Sequence, residues 1–158
     1  MPNYTTSAPM RQLIEDWEGL RLEPYSDSVG VATVGYGHTG EDVQLDADPI
    51  TQEQADQLLA ADLKRFEDAV NGMVSDDTSQ QQFDAMVSFS YNLGEGALRG
   101  STLLRMHNAG DWSGATQQFG MWVHAGGRTL PGLVRRRHGE AMVYANGDYG
   151  QGGPPAAA

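Results

Sequence analysis

The 158-residue chain has the length of one ordinary domain, long enough to bury a core, and carries 21 acidic against 10 basic side chains for a formal net charge of −11. That balance makes nucleic acid a poor partner. The absence of cysteine excludes disulfides, thiolate metal sites and a cysteine nucleophile. No apolar run approaches the ~20 residues of a membrane span, so no stable membrane insertion is expected. The opening MPNYTTSAPM has neither a basic start nor an apolar stretch, so no signal peptide is expected. The charge is uneven: residues 1–98 hold 18 acidic and 4 basic side chains, residues 99–158 hold 3 and 6. Either the acidic part is a solvated surface, or the weakly basic part faces an anionic polymer.

Residues 1–6 read as a flexible arm. Ser7 as N-cap, Pro9 in the first turn, and Met10, Leu13, Ile14 and Trp17 on one face predict a helix to about Glu18, stopped by Gly19. Glu18 then stands at a helix C-terminus beside Trp17. Apolar surroundings and outward-pointing carbonyls favour a protonated carboxyl there, and a nearby arginine would oppose them. Residues 26–30 read as a turn holding Asp27, and residues 31–36 as a strand. Alternation puts Thr33, Gly35 and Gly37 on one face and Val34, Tyr36 and His38 on the other. A hydroxyl on a face otherwise stripped of side chains leaves room for a ligand, although glycines that merely serve a tight ribbon give the same pattern.

Residues 40–50 form an acidic loop. Thr51 and Gln54 make a capping box for a long helix with Ala55, Leu58, Leu59, Leu63, Phe66 and Val70 on one side, ending at Asn71-Gly72. A second capping box, Thr78 to Gln81, opens a helix carrying Phe83, Met86, Val87 and Tyr91, stopped at residues 92–96. Shorter helices are expected at about 101–108 and 111–122. Pro131 starts a last helix that ends at Asn146-Gly147. Residues 149–158 read as a disordered Gly/Pro/Ala tail, which leaves 7–148 as a single domain. A helix, a small hairpin and then a run of helices is an α+β arrangement.

Hydrolysis of a sugar–sugar bond needs a protonated carboxylic acid near the leaving oxygen and an ionised carboxylate across the bond. Glu18 in apolar surroundings and Asp27 in a polar turn would separate in pKa in that sense. The histidines, His38, His107, His124 and His138, show no ligand spacing, so neither a metal nor another cofactor is expected.

Glu18, eight residues, Asp27, five residues and Thr33 resembles the catalytic arrangement of phage T4-type lysozymes, the glycoside hydrolase family 24 endolysins. The surrounding EGLRLEPYSDSVGVATVGYGHT is similar to that family's active-site segment throughout. QQFDAMVSFSYNLG, STLLRMHNAGD and GGRTLPGLVRRRHGEAMVY resemble its later blocks, in the family's order. The resemblance implies a lysozyme-like fold, with a small β-hairpin lobe, a larger helical lobe and the active-site cleft between them. It implies a muramidase that cuts the β-1,4 bond between N-acetylmuramic acid and N-acetylglucosamine in bacterial peptidoglycan and serves as a phage endolysin.

In that scheme Glu18 is the general acid, and Asp27 and Thr33 hold and activate a water. The carboxyl groups should then stand ~6.5–9.5 Å apart, with inversion at the anomeric carbon. Thr39 and Tyr91 match positions that contact sugar, though Tyr91 serves equally well as core. Ser101 or Thr102 matches a further sugar contact, and Thr102 is taken for it. The family implies a monomer held in the host cytoplasm until a holin-type pore releases it to the wall. A lytic transglycosylase needs only the acid, and a non-catalytic wall-binding module needs none of the three, so Asp27 and Thr33 argue against both.

Arg135, Arg136 and Arg137 spread over about 200° of a helix, too wide for one patch. Val134, Ala141 and Ala145 read as the buried stripe, flanked by Arg137 and His138, while Arg136 points away. Arg137 is therefore expected either to pair with a carboxylate of the N-terminal part, Glu18 in the family manner, or to snorkel into solvent. His38 is open to two roles, a structural partner of an acidic side chain or a participant in the chemistry.

Overall fold

Ser7 opens the first helix, α1 (Ala8–Glu18): its hydroxyl accepts the amide of Met10, and Gly19, at φ 73°, closes the other end. The computed structural model describes residues 2–150. Met10, Leu13 and Ile14 are the buried face of α1. The segment before it is not a loose arm. The Tyr4 amide donates to Asn71 Oδ1 (3.0 Å) and the Tyr4 hydroxyl to the Thr78 carbonyl (2.8 Å). Thr6 donates its amide (2.9 Å) and hydroxyl (2.6 Å) to Glu67 Oε2. Glu67 and Asn71 are buried and need donors, which this segment supplies. At the other terminus Tyr149 is held by its hydroxyl on Asp84 Oδ2 (2.7 Å), and the rest of the expected tail, 151–158, lies outside the described residues.

Three antiparallel strands follow in the order β1 (Arg21–Ser26), β2 (Ala32–Gly35), β3 (His38–Thr39). The sequence pattern did not announce β1. It is an edge strand, largely exposed and containing Pro24, so it carries no apolar alternation to read. Register pairs Tyr25 with Thr33 and Thr33 with Thr39, while Val34 opposes His38. Gly35, at φ +70°, turns its missing side chain toward Ala55 and Ile50, which fill the space.

The helical part begins with α2 (Gln52–Met73), opened by the Thr51–Gln54 capping box. The capping box of α3 (Gln80–Leu93) belongs to Ser79 and Gln82, one residue later than the Thr78–Gln81 frame. Both frames satisfy the pattern. Thr78 instead donates to the Ser75 carbonyl and meets His107 Nε2 at 2.8 Å. Helix α3 runs through the centre, buried without break from Gln82 to Ser90. Short helices α4 (Glu95–Arg99), α5 (Thr102–Asn108) and α6 (Trp112–Gln118) lead through a 3-10 turn (Phe119–Met121) to a small hairpin, β4 (His124–Ala125) and β5 (Arg128–Thr129). The hairpin turns on Gly126 and Gly127, both at positive φ. Helix α7 (Pro131–Asn146) packs along α3 and ends at Gly147 in the left-handed conformation. Phe89 anchors this layer, edge-on to Phe119 and Trp122. The result is an α+β fold: a three-stranded lobe beside a larger helical one. Among the described residues no helix is long and apolar enough to cross a membrane.

Candidate active site

Helix α7 buries charge, and that decides where Glu18 is held. Its buried residues are Arg136, Arg137, Gly139, Glu140, Val143 and Tyr144, whereas Val134 is 43% exposed. The stripe expected from Val134, Ala141 and Ala145 is therefore misphased, because only apolar residues were counted toward it. Arg136, not Arg137, reaches the N-terminal part: its Nη1 donates to Glu18 Oε2 at 2.6 Å. Arg137 donates instead to Glu140 Oε1 (2.6 Å) and Oε2 (3.0 Å) on its own helix and to Asn92 Oδ1 (2.9 Å).

Glu140 also accepts from Arg136 Nε (3.4 Å) and from the Ser88 hydroxyl. Two guanidiniums and the carboxyl groups of Glu18 and Glu140 thus form one cluster, with Glu140 and Arg137 fully buried. Burial works against the charge of Arg136, but Glu18 and Glu140 beside it hold its pKa above the usual value. Its guanidinium also lies 5.4 Å from the centre of the Trp17 ring.

Asp27 is placed by its own turn. Its Oδ1 accepts the amides of Val29 (2.9 Å) and Val31 (2.8 Å), and its backbone amide donates to the Val31 carbonyl. Gly30, at φ +87°, permits the reversal. Thr33 is not on an open face: it is 4% exposed and its hydroxyl donates to the Val31 carbonyl at 2.9 Å. It remains the cross-strand neighbour of Thr39, and opposed residues share a face.

Thr39 lines a cleft of about 350 Å³ together with Glu18, Gly37, Asp62, Arg65, Phe66, Tyr91 and Asn92. Gly37 is where backbone and acid meet. A Cβ there would stand 2.8 Å from Glu18 Oε1, and φ is +83°. Tyr91 donates its hydroxyl to the Tyr36 carbonyl (2.7 Å) and packs edge-on against Phe66, so it is wall and core at once. Burial, and then the nearby Glu18, push its pKa up strongly.

Glu18, Thr39 and Tyr91 therefore meet in one cleft, with Thr33 one strand behind Thr39 and Asp27 in the β1–β2 turn. Thr102 is not among the lining residues; its hydroxyl accepts from Arg105 Nη2 at 3.1 Å. His38 is held between two carboxylates, Nδ1 on Asp62 (2.8 Å) and Nε2 on Asp42 (3.0 Å). Burial opposes a charged ring, but hydrogen bonds to Asp62 and Asp42 outweigh it and raise the pKa. Among the described residues no group of three or more His, Asp or Glu is placed to hold a metal ion.

Sequence reasoning did not single out Arg136, Glu140, Asp62, Arg65 or Asn92. The signal for the first two was present as the i,i+4 spacing of Arg136 and Glu140 and the i,i+3 spacing of Arg137 and Glu140, continued by Val143 and Tyr144 on the same side. No local pattern announced the others.

A phage lysozyme family model matches residues 15–140. The endolysin of Bacillus phage B103 is 42% identical over 138 residues, covering 86% of this chain and 52% of that relative. The chain thus spans about half of that endolysin's length. Among solved structures, the endolysin from Escherichia coli O157:H7 phage FAHEc1 superposes with a TM-score of 0.87 at 38% identity, covering 94% of this chain and 98% of its own. The muramidase domain of SpmX from Asticaccaulis excentricus gives 0.82 at 35% identity, covering 90% and 98%.

Proposed function

Because the chain belongs to the phage lysozyme family, we propose that it is a peptidoglycan hydrolase. It cleaves the β-1,4 bond between N-acetylmuramic acid and N-acetylglucosamine as a muramidase, and it acts as a phage endolysin. The observation that carries this reading is the setting of Glu18 in the cleft: Arg136 fixes Oε2, Oε1 lies beside Gly37, and the residue lines the cleft. Endolysin and muramidase relatives supply the chemical class.

Glu18 donates its proton to the leaving glycosidic oxygen. Asp27, its Oδ1 already fixed by two amides, takes a proton from the attacking water through its other oxygen, and the Thr33 hydroxyl helps to hold that water. The water oxygen bonds to the anomeric carbon as the C–O bond to the leaving sugar breaks, so configuration inverts. The proton lost by Glu18 and the one gained by Asp27 exchange through solvent before the next turnover. Thr39 and Tyr91 flank the sugar. The working form is a monomer, acting after a holin-type pore has let it leave the host cytoplasm.

The test is an assay on purified peptidoglycan with wild type, Glu18→Gln and Asp27→Asn. The expected products are reducing ends without anhydro sugar, with turnover falling ~10²–10⁴-fold in Glu18→Gln and lost in Asp27→Asn. Full activity in Glu18→Gln sinks the reading, and an anhydro product moves it to a lytic transglycosylase.

A further inference from the structure

Far from the cleft, one tryptophan is left in solvent. Trp17 lies against the Arg136 guanidinium and Trp122 packs edge-on against Phe89, whereas Trp112, the third, is 43% exposed. Trp112 opens α6 and lines a depression of about 660 Å³, between α6, the N-terminal end of α3 and the C-terminal end of α7. The cleft is at the other end of the same two long helices. On α3, Gln81 lines the depression and Tyr91 the cleft, ten residues and therefore about 15 Å apart. On α7, Tyr144 lines the depression while Arg136 holds Glu18.

The lining combines an aromatic surface with neutral hydrogen-bonding groups. The Thr116 hydroxyl donates to the Trp112 carbonyl (2.8 Å), which leaves its oxygen to accept. Gln81 is fixed by its Nε2 on the Tyr144 carbonyl (3.3 Å), and its Oε1 adds a further acceptor. Ser113 and Gln117, both exposed on α6, add donors. Among the described residues that line the depression there is no lysine or arginine, and Asp77 is the one charged group. An anionic ligand would meet that carboxylate, on a chain of net charge −11, with no cation beside it. An apolar helix would meet a lining that is mostly polar. A sugar ring fits both parts: its C–H face lies flat on an indole, and its hydroxyl and acetamido groups project around the edge toward the hydroxyls and amides.

We propose that this depression is a second saccharide site, which takes an uncharged sugar unit of the cell wall while the cleft works on another. The proposal rests on the muramidase reading and adds a point of attachment that does not react. Once the cleft is engaged, the second contact is made at the high effective concentration of a polymer already bound, so a weak site still holds the enzyme on the wall between turnovers.

The experiment uses Glu18→Gln as background, so that binding is read without cleavage. An oligomer of β-1,4-linked N-acetylglucosamine is titrated while NMR follows the three indole N–H signals. That of Trp112 is identified by its loss in Trp112→Phe, and that of Trp17, beside Arg136, reports on the cleft. The Trp112 signal is expected to shift along a saturation curve of its own. Retention on purified peptidoglycan sacculi is then measured after adding Trp112→Ala or Gln117→Ala, the latter at an exposed position where the fold is not at stake. The apparent Kd should rise about 3- to 10-fold in Trp112→Ala and by a smaller factor in Gln117→Ala. Loss on sacculi stripped of accessory polymers assigns the ligand to the glycan strand. Loss confined to unstripped walls assigns it to an accessory polysaccharide, and either result upholds a saccharide site. A Trp112 signal that stays still while the cleft saturates overturns the proposal, as does undiminished retention in both variants. A Trp112 signal that moves while the cleft takes no oligosaccharide upholds the second site and counts against the muramidase reading instead.

Discussion

Asp27 and Glu18 are each oriented by nitrogen donors, and the donors come from opposite extremes of chain distance. Asp27 takes the amides of Val29 and Val31, two and four residues on. Glu18 takes Arg136, 118 positions away. The turn around Asp27 is complete as soon as five residues adopt their backbone angles. The partner of Glu18 is in place only when α7 has docked on α3 and Glu140 has settled both arginines. One carboxylate thus belongs to local structure, and the other belongs to the core.

That contrast breaks most visibly at Glu140. Glu140→Gln keeps the shape and removes the anion shared by two buried guanidiniums. Leaving such charges uncompensated costs about 3–5 kcal/mol, and thermal or denaturant unfolding should show it as a large loss of stability. Turnover should fall with it, since Arg136 would no longer be held against Glu18. Asp27→Asn should leave stability within about 0.5 kcal/mol, because an amide oxygen accepts the same two backbone N–H groups. Equal melting of the two variants would erase the distinction between them.

The same contrast explains what could be read from the sequence. Ser7, the Thr51–Gln54 box and the turn from Asp27 to Gly30 act within a few residues, and their side-chain chemistry announces them. The second capping box slipped by one because two overlapping frames, Thr78–Gln81 and Ser79–Gln82, satisfy the same rule; only tertiary packing chooses between them. A wheel built on apolar residues turns Arg136 away from the buried stripe because it has no way to register a helix that buries paired charges. Residues 1–6 read as an arm in the sequence because the groups that hold Tyr4 and Thr6, namely Glu67, Asn71 and Thr78, lie more than sixty positions away. The hairpin of β4 and β5 is too short and exposed to leave a period. Thr102 followed from family likeness alone, and the fold puts it on Arg105 rather than in the cleft.

A pair of glycines sharpens the comparison at lower cost. Gly37 and Gly30 both have positive φ, +83° and +87°, so an alanine at either should lose roughly 1–2 kcal/mol to backbone strain. Their surroundings differ. At Gly37 the new methyl would stand 2.8 Å from Glu18 Oε1, whereas at Gly30 nothing lies within 4 Å. Gly37→Ala should therefore lose turnover beyond its loss of stability, by displacing the carboxyl that Arg136 anchors. Gly30→Ala should lose comparable stability and keep more of its turnover. If kcat falls equally in both, the close approach of β-lobe backbone to Glu18 has no catalytic consequence.

His38 gives the smallest effect and the one that depends on pH. It ties the β-lobe to α2 through Asp62 and to the following loop through Asp42. Its folded pKa is raised above 6.5, so its contribution is complete below 6.5 and disappears as pH climbs through the folded value. The His38 hydrogen bond is the main cause that lowers the pKa of Asp42 below 3.8. That part is complete above 3.8 and is lost as pH falls through the lower folded value. The tether is therefore fully formed between these limits and weakens on both sides. Melting temperatures of wild type and His38→Asn should differ most at about pH 5 and converge toward about pH 9, with the gap narrowing in high salt. A difference that stays constant across that range would mean that His38 holds the lobe by packing, without its charge.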